Sequence, residues 1–90
     1  MRIKVVYRKL GKEKVYGWAN SENNSIEIDE RLKGKKQLEI ILHEALHLLH
    51  PELEEEGIVR TSVVLTNLLW KQEYRKIDNE NITPLQDGSL

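Results

Sequence analysis

The sequence predicts an α+β fold, a three-stranded antiparallel sheet followed by two helices. Three observations predict it. Up to residue 29, apolar and polar residues alternate in short runs, the period of strands. From about residue 35 the apolar residues recur at i, i+3, i+4 and i+7, the period of a helix. Pro51 then divides the helical part in two, because its ring cannot continue a helix.

Residues 2–9 set Ile3, Val5 and Tyr7 against Lys4, Val6 and Arg8, a strand rich in β-branched residues. Leu10-Gly11-Lys12-Glu13 can turn the chain. Residues 14–19 read as a second strand with Val15 and Trp18 turned inward. Asn20-Ser21-Glu22-Asn23-Asn24 is a turn cluster, and Ser25-Ile26-Glu27-Ile28-Asp29 alternates again as a third strand. Short connections suit an antiparallel meander. Residues 30–36 are polar and contain Gly34; Lys33, Lys35 and Lys36 read as a solvated helix start.

Over residues 35–50, Leu38, Ile41, Leu42, Ala45, Leu46 and Leu49 form one buried stripe, with His43, His47 and His50 in a separate row. The second helix opens at Leu53-Glu54-Glu55-Glu56, whose acids suit its positive end. It is expected to run to Arg75 or Lys76, about 30 Å, with an apolar side of Ile58, Val59, Val63, Leu65, Leu68, Leu69 and Trp70. Residues 1–76 thus form one domain, and the polar stretch 77–90, with Pro84 and Gly88, reads as a loose tail.

Ninety residues make one thin-cored domain, which buries about 60–65% of its unfolded surface. Bound metal would add stability to such a chain. The net charge of −1 supplies no global field for nucleic acid. The absence of cysteine excludes disulfides and leaves His, Asp and Glu as metal ligands. Residues 1–90 hold no apolar stretch of about 18 residues, and neither a leader nor a membrane span is expected. A cytoplasmic protein without nucleic-acid or membrane partners is expected.

His43-Glu44-Ala45-Leu46-His47 reads H-E-x-x-H on the first helix. Residues four apart share a helix face, so His43 and His47 can offer two imidazole nitrogens to one zinc ion. Glu44 projects beside them, where its carboxylate can take a proton from a water that the metal activates. Zinc needs a third protein ligand. His50 lies seven residues beyond His43, about 10 Å along a straight helix and too far to converge. Glu52, Glu54, Glu55 and Glu56 lie across the Pro51 turn. Glu55 is favoured because it stands three and four residues before Ile58 and Val59 and points the same way; Glu56 and Glu52 follow. Trp18 and Trp70 read as core or core-edge residues.

The stretch Ile26-Glu27-Ile28-Asp29 with Leu38-Glu39-Ile40-Ile41-Leu42-His43-Glu44-Ala45-Leu46-His47 resembles the very small H-E-x-x-H proteins of phages and prophages, which in turn resemble minimal gluzincin metallopeptidases. Glu55-Glu56-Gly57-Ile58-Val59-Arg60, with Leu68-Leu69-Trp70 downstream, is similar to the glutamate helix of that group. The resemblance covers roughly residues 25–76. It implies a Zn2+ cofactor held by His43, His47 and Glu55, Glu44 as general base, and a peptide or protein substrate. The chain departs from large gluzincins in the seven residues between His47 and Glu55, in Val59, which stands where many carry an acid, and in lacking a separate far-wall domain. The metzincin pattern does not fit, because His50 and Leu53 stand at its glycine and third histidine.

The sequence therefore points to zinc-dependent peptide hydrolysis, with substrate lying extended along residues 25–29 as an edge strand. Three other readings are a catalytically silent zinc module that binds a partner, a phage regulator that cuts or captures one protein, and a helical adaptor without metal.

Overall fold

In chain order the elements are β1 (Lys4–Arg8), a short 3-10 turn (Gly11–Glu13), β2 (Gly17–Asn20), β3 (Ser25–Asp29), α1 (Gly34–Leu49) and α2 (Glu55–Lys71). This computed structural model describes residues 1–13 and 15–77. The α+β class holds, with a three-stranded sheet and two helices. From residue 78 onward the expected tail lies outside the described residues.

The sheet is mixed, which corrects the antiparallel meander. Its order is β1-β3-β2; β3 runs parallel to β1 and antiparallel to β2. The reason lies in residues 9–16. A meander needs a tight turn there, but Leu10 is fully buried. Both ends of this loop are tied to the end of β3: the Leu10 N–H reaches the Asp29 carboxylate, and the Asp29 N–H donates to the Tyr16 carbonyl at 2.8 Å. The chain thus crosses over the end of β3 and sets β2 on the far side. Burial explains why β3 takes the centre: Ile26 and Ile28 are buried, and so are Ser25 and Asp29. β3 therefore has no open edge for a substrate strand, and the edges belong to β1 and β2.

Asp29 anchors this crossover. Its carboxylate accepts the Arg31 backbone N–H at 2.9 Å, Nε at 2.9 Å and Nη2 at 2.6 Å. The Arg31 guanidinium holds the Asp29 carboxyl well below the usual carboxylate range. A depressed native pKa contributes stability above the unfolded value of about 3.9, and that stability is lost as pH falls towards the native value. Asp29→Asn is therefore expected to lower Tm at pH 6 and to shrink the fall in Tm between pH 6 and pH 2.5. Parallel melts of variant and wild type check this; an equal loss at both pH values would discount the carboxylate's charge.

Val5 and Tyr7 on β1 pair with Ile26 and Ile28, and so share their face of the sheet. Ile40 of α1 packs on Ile26 and Ile28, with Ile3, Ala19, Leu32, Ile41 and Leu48 around them. The opposite face joins Arg8, Trp18 and Glu27: Arg8 Nε and Trp18 Nε1 both donate to the Glu27 carboxylate, the former at 2.9 Å. Trp18 is therefore an exposed cover for an ion pair and not an inward core residue; Val15 is exposed too.

α1 packs on β2 and β3 with one side and on α2 with another. Its deepest positions are Gln37, Ile40 and Glu44, beside the expected stripe, and Leu49 is half exposed. The sheet meets a line of the helix that includes a polar residue at each end, and so hydropathy alone misplaces it. α2 likewise buries Ile58, Ser62 and Thr66, at i, i+4 and i+8, while Val59, Val63 and Leu68 are exposed. Small side chains at the helix contact win over large apolar ones beside it, because they let the two helices approach closely.

α2 ends at Lys71, earlier than its composition suggests. The Glu73 N–H donates to the Trp70 carbonyl at 2.9 Å, and the Tyr74 N–H to the Leu69 carbonyl at 3.0 Å. This is a Schellman cap, with Glu73 at φ 68° in the left-handed position usually given to glycine. No glycine marks the stop, so the sequence reads through it. Glu73→Gly is expected to raise stability by about 0.5–1 kcal/mol, measured by urea unfolding, because glycine adopts this φ without the Cβ clash.

Candidate metal centre

α1 and α2 form a hairpin whose closed end lies at residues 50–54. His43 and His47 lie one helical turn apart on α1, with ring centroids 5.0 Å apart. Glu55 is the first residue of α2 and stands three residues before the buried Ile58, on the side that faces α1. The turn brings these three side chains together. The two Nε2 atoms are 3.3 Å apart. Glu55 Oε2 lies 3.1 Å from His43 Nε2, and Oε1 lies 3.1 Å from His47 Nε2.

These spacings suit a metal. Ligands at about 2.0–2.1 Å from zinc, set at tetrahedral angles, stand about 3.3 Å from each other. One oxygen and two nitrogens at such separations are a donor set that could hold a divalent ion, and no other group of three or more His, Cys, Asp or Glu side chains gathers in this way among the described residues. The other candidates stand outside this cluster. His50 Nδ1 pairs with Glu52 Oε2 at 3.0 Å, and the His50 N–H caps the Leu46 carbonyl. Glu56 lies 4.0 Å from Arg60. Glu54 is the N-cap of α2.

Glu44 occupies a different environment from Glu55. It points beneath β2 and is 8% exposed, whereas the Glu55 side chain is 64% exposed. Burial pushes the Glu44 carboxyl above its ordinary value; nearby His43 and His47 pull it down, and Glu55 pushes it up. Ala19 and Ser21, at the end of β2, line an open pocket of about 390 Å³ together with Glu44, His47, Leu48 and Pro51. The end of β2 therefore borders Glu44 and His47.

Sequence reasoning missed Gly17 of β2. A Cβ there would lie 2.8 Å from the Glu27 carbonyl oxygen, 2.9 Å from Ile40 Cγ2 and 3.3 Å from Glu44 Cγ. Only a residue without a side chain lets β2 lie this close to α1 at Glu44. The signal available was a glycine inside a strand, which often marks close approach of another element. Gly17→Ala is expected to cost about 1–3 kcal/mol, read by chemical denaturation; an unchanged midpoint would mean that β2 and α1 separate freely.

No protein family, curated protein or solved structure matched the chain. Among the described residues no helix is long and apolar enough to cross a membrane.

Proposed function

We propose that the chain is a zinc-dependent peptidase in which His43, His47 and Glu55 hold the metal and Glu44 is the general base. The observation that carries this reading is the convergence of three donor atoms from two helices, His43 and His47 of α1 and Glu55 of α2, all within 4.8 Å of one another, with Glu44 buried on α1 next to His43. Bound zinc would supply a Lewis acid that polarises the scissile carbonyl and lowers the pKa of a water towards about 7.

The protein's own residues do the rest. Glu44 receives the water's proton and passes it to the leaving amine, so one carboxylate serves both halves of the reaction. Its burial between β2 and α1 restricts its rotamers and aims it. Glu55, from a second helix, closes the metal triangle and joins the helices at their turn. β2, and not β3, offers the free edge on the site's side, where an extended peptide could gain main-chain hydrogen bonds.

The test is the zinc content of tag-free, full-length protein by elemental mass spectrometry, followed by incubation of a diverse peptide mixture with the loaded protein. About one zinc per chain, with new peptide termini that vanish on chelation, supports the enzyme. One zinc per chain without cleavage turns the reading to a silent zinc module, and no zinc after reconstitution removes the metal altogether.

A further inference from the structure

The other end of the helical hairpin holds a second concavity, about 22 Å along α2 from Glu55. Its volume is about 400 Å³, within the range of small-molecule sites. Leu38 and Ile41 of α1 and Trp70 of α2 form its apolar wall, and Tyr7 of β1 also lines it. The Schellman turn at Glu73 sends the chain back so that Tyr74, Arg75 and Lys76 complete the lining.

The charge of this lining is one-sided. Arg75 and Lys76 line it and no acid does. The Arg75 guanidinium stacks on the Trp70 ring, 3.5 Å from its centroid, and Nη1 donates to the Trp70 carbonyl at 2.8 Å. Lys76 Nζ lies 3.9 Å from the centre of the Tyr7 ring. Ring faces hold both cations in place without cancelling their charge. Gly34, also in the lining, opens α1, whose first turn carries no acid and no side-chain cap, so the helix end adds in the same sense.

We propose that this pocket binds a small organic acid, with its aromatic or aliphatic body against Leu38, Ile41 and Trp70 and its carboxylate between Arg75 and Lys76. The apolar wall takes up the body, and the planar fork of Arg75 suits the carboxylate geometry. The site shares no ligand with the metal cluster, so it stands whether or not zinc binds.

The test is a titration of the 15N-labelled full-length chain with 4-phenylbutyrate and, separately, with the neutral 4-phenylbutyramide. Expected are saturating shifts at the Trp70 indole and at the Gly34, Tyr74, Arg75 and Lys76 amides, with the Trp18 indole unmoved. Kd should be on the order of 0.1–1 mM for a ligand of this size. The amide should bind about tenfold more weakly, and Arg75→Gln with Lys76→Gln should weaken the acid by a similar factor. The proposal is overturned by no saturation up to about 10 mM, by equal binding of acid and amide, by shifts confined to His43 and His47, or by a folded double variant that binds like wild type. Should the double variant unfold, the acid-to-amide ratio in the wild type decides.

Discussion

Glu44→Gln is expected to keep one zinc per chain and to lower peptide cleavage by about 10²–10⁴-fold, the usual contribution of a general base. The amide has nearly the shape of the carboxylate, so the packing of β2 over α1 at Gly17 survives, and none of the three metal-holding side chains changes. What disappears is the ability to accept the water's proton. Burial raises the carboxyl's pKa, and the neutral amide avoids that desolvation cost, so the variant should melt no lower than wild type. Melting temperature, zinc content and turnover, measured together, check this. A variant that keeps its turnover would sink the general-base role, and one that loses zinc would show that Glu44 acts through the metal site.

The second large effect belongs to the metal itself. Chelation of zinc-loaded protein is expected to lower Tm by about 10–20 °C, since a ligand at a hundred times its Kd adds about 2.7 kcal/mol and a domain of this size moves 4–8 °C per kcal/mol. Glu55→Ala and His43→Ala should melt near the chelated wild type and ignore added zinc, because each leaves only two of three donors. Glu52→Ala should respond to zinc like wild type, since Glu52 pairs with His50 outside the cluster. Calorimetry with and without zinc checks all three. A Glu55→Ala protein that still gains stability from one equivalent of zinc would move the third ligand elsewhere.

The helical half of the chain was the more legible. H-E-x-x-H identifies its own geometry, because residues four apart on a helix share a face whatever surrounds them. Pro51 announces the break, and Glu55 follows from its offset to Ile58. Val59, the other residue expected to face inward, is 43% exposed, because the buried line of α2 runs through Ile58, Ser62 and Thr66. The end of α2 was hidden because Glu73 takes a glycine's place. On the strand side the three runs were legible and their order was not. Leu10 sits in what reads as a turn, and only its burial reveals the crossover.

Local chemistry determined the element types, the pairing of His43 with His47, and the position of Glu44 beside them, since helix and strand periods act over a few residues. The tertiary structure alone decided that β3 is central and β2 an edge, that Ser62 and Thr66 make the helix contact in place of Val59 and Val63, and that Gly17 presses on Glu44. Those outcomes depend on which surfaces meet across long stretches of chain. That choice follows from shape, close approach and hydrogen-bond ties such as Leu10 and Tyr16 to Asp29, none of which the order of polar and apolar residues encodes.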